Sequence, residues 1–199
     1  MKKIIFLSGV FALLTINLWA ADKTVLAFSG STREDSYNQK LILEATAMAK
    51  KMGAKVNIVR LKDYPMPFYD ADLEEKEGMP ENAKRLRELV AQSDVVLIAS
   101  PEYNRSVSSV LKNTLDWMSR GEYGEHRVFK GKSVAIISAS PGKSGGSRGL
   151  SHLRTILEDI GATVLPQQAS IPRAHTYFSE AERSEHPALK ETLEALLSL

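Results

Sequence analysis

Val95-Val96-Leu97-Ile98-Ala99-Ser100-Pro101-Glu102-Tyr103-Asn104-Arg105-Ser106 decides how the rest of the chain is read. Its first five residues are uninterruptedly apolar, the pattern of a central parallel strand covered on both faces. Pro101 stiffens the exit from that strand, and a short polar segment with one aromatic ring follows. Such a strand needs parallel neighbours and crossover helices, so the flanking sequence has to supply both.

It supplies them in alternation. Thr24-Val25-Leu26-Ala27-Phe28 is a first strand, ended by Ser29-Gly30. From Ser36 the apolar positions Leu41, Ile42, Ala45, Met48 and Ala49 recur at helical spacing until Gly53. Val56, Ile58 and Val59 mark a second strand, and Leu61 to Gly78, broken by Pro65 and Pro67, reads as a long loop. Pro80 opens a second helix through Ala83, Leu86, Leu89 and Val90, and Val107, Val110, Leu111, Leu115 and Met118 outline a third. Val134 to Ile137 is a fourth strand, running into Ser138-Ala139-Ser140-Pro141-Gly142. A fourth helix through Leu150, Leu153, Ile156, Leu157 and Ile160 precedes a fifth strand, Ala162 to Leu165. An amphipathic segment from Leu189 to Leu199 closes the chain. Five strands alternating with helices predict an α/β fold, a doubly wound parallel sheet with helices on both faces. Ligands of such sheets sit beyond the carboxyl ends of the strands, where the loops at 29–38, 100–106 and 138–147 meet.

Composition excludes several classes. The 199 residues are 43% hydrophobic, which suits one globular domain, and the formal charge of +2 gives no general case for nucleic acid. The absence of cysteine removes disulfides, thiolate metal sites and cysteine nucleophiles. Residues 1–20 stand apart: Lys2 and Lys3, a mostly apolar run from Ile4 to Leu18, then Ala20-Ala21. That layout predicts a secretory signal peptide, with an N-terminal membrane anchor as the alternative, followed by one domain at 22–199. The segment carries two lysines and no acid, so without it the bases equal the 24 acids in number. The expected location is therefore exported, periplasmic if the signal operates and cytoplasmic otherwise. His126, His152, His175 and His186 are dispersed and show no metal-ligand spacing. Asp70, Asp72, Glu74, Glu75 and Glu77 read as a solvated acidic rim.

Each of the three loops carries a distinct chemistry. Gly30-Ser31-Thr32-Arg33-Glu34-Asp35-Ser36-Tyr37-Asn38 offers hydroxyls, amides, a guanidinium and a helix N-terminus, all suited to a phosphate. It lacks Gly-x-Gly-x-x-Gly and the Walker lysine, which argues against a dinucleotide or a nucleoside triphosphate bound through this loop. Plain N-capping by Ser36 is the alternative. Pro101 to Ser106 presents the Tyr103 ring and the Asn104 amide, a platform and donors for a flat heteroaromatic; Tyr103 serves equally as a packing residue. Gly142, Gly145, Gly146 and Gly149 allow close backbone approach to a ring or, alternatively, a bare surface loop. Arg148 is left facing a phosphate, a neighbouring subunit or solvent.

Taken together, Gly30-Ser31 with Arg33, Ser36 and Asn38, Pro101-Glu102-Tyr103-Asn104 with Ser106, Leu111-Lys112-Asn113 and Asp116-Trp117 resemble the NADPH-dependent FMN reductase family. Pro67-Phe68-Tyr69-Asp70, Gly145-Gly146-Ser147-Arg148 and Leu153-Arg154 extend the resemblance, which runs from about Val25 to Val164. Many members carry proline and glycine where this chain has Ser108 and Ser109. The resemblance implies a flavodoxin-like sheet of order 2-1-3-4-5. It implies that Ser31, Arg33, Ser36, Asn38 and Gln39 surround an FMN phosphate, and that Pro101, Glu102, Tyr103 and Asn104 line the isoalloxazine with Ser140 and Gly142 nearby. It further implies subunit contact around Trp117 and hence a homodimer or homotetramer.

The activity so implied is that of an FMN-dependent NAD(P)H oxidoreductase. NADPH or NADH would donate electrons through the flavin to a small-molecule acceptor: a quinone, flavin, azo or nitro compound, or metal oxyanion. No side chain need act as a strong acid or base, since the flavin carries the chemistry. A flavodoxin-type electron carrier without NAD(P)H turnover is the alternative. Carriers of that kind are acidic, whereas this domain is near neutral.

Overall fold

The computed structural model describes residues 23–121, 128–179 and 185–199; the N-terminal apolar segment and His126 lie outside them. The strands are β1 (Thr24–Ser29), β2 (Lys55–Arg60), β3 (Val95–Ala99), β4 (Glu102–Tyr103), β5 (Ser106–Val107), β6 (Ser133–Ala139) and β7 (Thr163–Ile171). The α-helices are α1 (Tyr37–Lys51), α2 (Ala71–Glu77), α3 (Glu81–Ala91), α4 (Ser109–Met118), α5 (Ser147–Asp159), α6 (Ala174–Ser179) and α7 (Pro187–Leu197). Five strands form a parallel sheet of order β2-β1-β3-β6-β7, the doubly wound order expected. The switch point lies between β1 and β3, which run side by side with Val25 opposite Val95 and Ser29 opposite Ala99.

Strand side chains alternate across the sheet, and each face builds its own core. Val25, Ala27, Val95, Leu97, Ala135 and Ile137 pack with α1, α6 and α7. Leu26, Phe28, Val96, Ile98, Val134 and Ile136 pack with α3, α4 and α5. All five residues of β3 are buried, as its unbroken apolar run requires.

Four local features depart from the sequence reading. The stretch from Leu61 to Gly78 is not all loop: Leu61–Asp63 forms a 3₁₀ turn and Ala71–Glu77 the helix α2. None of the α2 residues is buried, so no apolar periodicity betrays it; Asp70 starts it by accepting from the Asp72 N–H at 2.9 Å. The acidic cluster is thus the cap and exposed face of a short helix. Val107 belongs to β5, and α4 begins at Ser109 behind the Ser108 cap. The last strand continues past Leu165 to Ile171, because the register slips between Val134 and Ile136 and accommodates Pro166 on the edge strand. Arg154 satisfies that irregular stretch, donating to the carbonyls of Val164 (3.1 Å) and Leu165 (2.6 Å). The short helix α6, finally, follows β7 with no counterpart in the sequence reading.

Candidate active site

The three loops converge at the carboxyl edge of the sheet. A cleft of about 220 Å³ opens there, walled by Ser31, Arg33, Ser36, Tyr37 and Asn38 on one side, and by Pro101, Glu102, Tyr103, Ala139, Ser140 and Pro141 on the other. Most of the residues singled out in the sequence therefore meet in one place. Gln39 faces a separate cavity beyond Ser36, Asn104 sits at a hairpin tip, and Gly142 lies beside the cleft with its N–H on Ser140 Oγ at 3.2 Å.

The β1–α1 loop is prepared for an anion. Ser36 caps α1, its Oγ accepting from the Gln39 N–H at 3.3 Å. The other N–H groups of the first turn have no acceptor within the helix and add its positive end. The loop's two carboxylates turn to other cations. Glu34 is held by Arg60 (3.1 Å) and Lys62 (2.6 Å), and Asp35 by Lys40 (2.5 Å). Hydrogen bonds from Lys62 and then Arg60 hold the Glu34 carboxyl below its ordinary range, and that from Lys40 does the same to Asp35. With its acidic neighbours so engaged, Arg33 is left as the guanidinium on the cleft wall.

Asn38, on the cleft wall, is also tied into the sheet. Its side-chain amide donates to the Ala139 carbonyl and accepts from the Ala139 N–H, both at 2.9 Å, while only 3% exposed. The residue ties the start of α1 to the end of β6 across the sheet and so fixes the width of the cleft. Tyr37 was not singled out as a site residue. Its ring stacks on Phe178 of α6 at 5.8 Å, with the Lys40 ammonium 5.4 Å from its centroid. Its place between a capping serine and a bridging asparagine was the available signal.

The opposite wall is a two-stranded hairpin. Glu102 pairs with Val107 and Tyr103 with Ser106, and the two-residue turn, Asn104 (φ 51°) and Arg105 (φ 68°), has the positive angles of type I′. Asparagine suits that region; arginine is strained in it. Three contacts hold the strained turn in place. Glu102 accepts from the Gly149 N–H at 2.9 Å, Ser106 Oγ lies 3.1 Å from His152 Nδ1, and Ser108 Oγ donates to the Gly30 carbonyl at 2.6 Å. Ser108 also caps α4 through the Leu111 N–H at 3.2 Å, so a serine secures helix entry. The Tyr103 ring remains half exposed at the cleft mouth.

The glycines of the third loop serve packing within the protein. A Cβ on Gly146 would come within 1.9 Å of Ser138 Oγ, and one on Gly145 within 2.8 Å of the Ser170–Pro172 backbone. They bring α5 close to the sheet edge, and Ser140 and Pro141 are left to line the cleft. Arg148 is exposed. Among the described residues no group of histidines and carboxylates could hold a metal ion.

The sequence profile of the NADPH-dependent FMN reductases matches residues 24–176, from the first residue of β1 into α6. The chain belongs to that family. It is similar to an NAD(P)H-dependent FMN reductase of Pseudomonas aeruginosa, 38% identical over 136 residues, which are 68% of this chain and 70% of the relative. It is 37% identical over 142 residues to a quinone reductase of Escherichia coli, covering 71% and 72%. Among solved structures it resembles FerB, a flavoenzyme NAD(P)H:(acceptor) oxidoreductase of Paracoccus denitrificans, with a TM-score of 0.71 and 30% identity over 88% of this chain and 95% of that one. The reductase is thus an FMN-dependent enzyme using a nicotinamide donor.

The residues present fit FMN. A phosphate finds Arg33, two serine hydroxyls and a helix N-terminus; a flat ring finds Pro101 and the open Tyr103 side chain.

Proposed function

We propose that this reductase passes electrons from NAD(P)H to small quinones, with FMN held between the β1–α1 loop and the β4–β5 hairpin. The supporting observation is the meeting of the cationic loop and the aromatic hairpin in one cleft of a chain whose relatives include quinone reductases. Bound FMN supplies hydride acceptance and onward electron transfer. The chain supplies position. Arg33, Ser31, Ser36 and the α1 N-terminus hold the phosphate, and Pro101 and Tyr103 set the plane of the ring. Asn38 holds the cleft walls together, and the Glu102–Gly149 bond holds the hairpin against α5. Donor and acceptor would take turns at the open mouth beside Tyr103. NADPH oxidation by FMN-loaded protein, followed by absorbance with and without a benzoquinone, tests the reading. Quinone-dependent turnover is expected; a flavin-loaded protein that NADPH leaves oxidised would mark a carrier instead.

Two further readings accompany it. The chain is exported through residues 1–20, an idea supported by the family match beginning at residue 24. Among the described residues no helix is long and apolar enough to cross a membrane. N-terminal sequencing of the mature protein after cell fractionation checks it: a start near residue 21 is expected, and an intact Met1 in the cytosol would refute it. The enzyme also forms a homodimer through the face around Phe68, which is 78% exposed. Trp117 itself is fully buried, donating from Nε1 to the Pro67 carbonyl at 2.9 Å, so it supports that face from beneath. Phe68→Ser should shift the mass measured by light scattering toward the monomer; an unaltered dimer would place the contact elsewhere.

A further inference from the structure

A second, larger cavity, about 650 Å³ in volume, lies at the outer edge of the sheet, between α1, the edge strand β2 and the turn that follows β2. Its apolar part is open to solvent: Leu43 of α1 is 50% exposed and Ile58 of β2 is 37% exposed, with the half-buried Tyr64 side chain beside them. A surface of this kind covers a flat or compact apolar body. Gln39 supplies a polar end. It is only 9% exposed and its backbone N–H bonds to Ser36 Oγ, yet its side-chain amide has no hydrogen-bond partner among the described residues. A largely buried amide left unpaired is costly, and a partner for it has to come from the cavity it lines.

The charges of the lining decide the sign of the guest. Lys40 is held by Asp35 at 2.5 Å and Arg60 by Glu34 at 3.1 Å, so both cations are already engaged. Asp63, exposed on the turn after β2, is in no ion pair among the described residues. An anion would meet the Glu34 and Asp63 carboxylates and find both cations taken. An ammonium finds in Asp63 an acceptor with no competing cation.

We infer that this cavity is a binding site for a small aromatic amine, with its ammonium at one end and a hydroxyl or carbonyl at the other. Asp63 holds the ammonium, Leu43, Ile58 and Tyr64 cover the ring, and the Gln39 amide meets the far polar group. Gln39, Leu43, Ile58 and Asp63 line this cavity and not the flavin cleft, so the inference stands apart from the flavin reading.

Tyramine is the probe, titrated into isotope-labelled full-length protein with FMN in excess and followed by NMR amide spectra. The Gln39 side-chain NH₂ and the backbone N–H groups of Asp63 and Tyr64 should shift together and saturate. The anion para-hydroxyphenylacetate, with the same ring and hydroxyl, should leave them unmoved. Phenethylamine, which lacks the hydroxyl, should bind about fivefold more weakly, the loss of one hydrogen bond. Asp63→Asn should weaken tyramine about fivefold, the upper end for an ion pair at an exposed position. Gln39→Leu should lower tyramine to the affinity of phenethylamine and leave phenethylamine unchanged. Circular dichroism checks that the variants fold, and Asp63→Asn, at an exposed position, carries the test alone if Gln39→Leu does not. No saturable shift with tyramine, an equal response to para-hydroxyphenylacetate, or unaltered tyramine affinity in Asp63→Asn would overturn the inference. Protein that takes up no FMN is titrated in the same way, so failure of the flavin cleft and failure of this site are told apart.

Discussion

Replacing Asn38 by alanine should loosen the fold and the cofactor site together, and the size of the effect follows from its two bonds to Ala139. Both run at 2.9 Å between groups removed from water, and they join residues 101 positions apart. Alanine deletes both and leaves the Ala139 N–H and carbonyl buried without partners. An orphaned buried polar group costs about 1–3 kcal/mol, so with two of them the variant should lose about 2–6 kcal/mol. Domains of this kind have about 5–15 kcal/mol in total. In urea the unfolding midpoint should fall by roughly 1–2 M with little change in slope. FMN affinity should drop as well, because the same bonds hold the two cleft walls in register. Asn38→Asp adds a test of sign. Its carboxylate still accepts from the Ala139 N–H but sets an oxygen against the Ala139 carbonyl, which together with burial raises its pKa in the folded state. A raised folded pKa favours the protonated form, so this variant should gain stability as pH falls through that value toward the ordinary carboxylate range, and lose it as pH rises back through it. A stability loss below about 1 kcal/mol for Asn38→Ala, or a pH trend of opposite sign for Asn38→Asp, would refute the reasoning.

Arg33→Ala should raise the FMN dissociation constant about tenfold, the lower end for a charge-assisted bond at an exposed position, in a quenching titration; unchanged affinity would remove Arg33 from the phosphate site. Gly146→Ala places a Cβ against Ser138 Oγ at a backbone with φ 91°, and should cost about 1–3 kcal/mol in backbone strain beyond the clash, read as a lowered melting temperature. Adding Ser138→Gly should recover only the steric part; full recovery would show that the backbone angle is unstrained. Glu34 and Asp35 have depressed folded pKa values, so their contribution is present above the usual carboxylate range and is lost as pH falls through the lower folded values. NMR titration of the two carboxyls should find both below ordinary values, and Lys62→Met should move Glu34 upward but not Asp35.

The fold was legible wherever burial follows a simple period. Val95 to Ala99 announced a doubly covered strand, and the Ser36 cap with Leu41, Ile42 and Ala45 announced α1. Burial also explains the misses: α2 buries nothing and so has no apolar stripe, and β7 runs through Pro166 and two glutamines because a bulge and Arg154 absorb the irregularity. The β4–β5 hairpin escaped notice because each strand has only two residues and its turn uses Asn104-Arg105 without a glycine. At the site, residue types pointed to loops that do meet in one cleft, though hydroxyls before a helix serve equally as plain caps, as Ser36 does for α1. The partition of labour within those loops depends on distant contacts. Asn38 answers to Ala139, Glu102 to Gly149 and Ser108 to Gly30, and none of those pairings is written in local sequence.

The central claim is that one FMN lies across the carboxyl edge of the sheet, anchored at α1 and flattened against the hairpin. Crystals grown with saturating FMN test it most directly. Difference density should place the phosphate within hydrogen-bonding distance of Ser31, Arg33 and Ser36, with the ring system against Pro101 and Tyr103. Flavin density anywhere else on the chain, or a bare cleft at saturating FMN, would contradict the account.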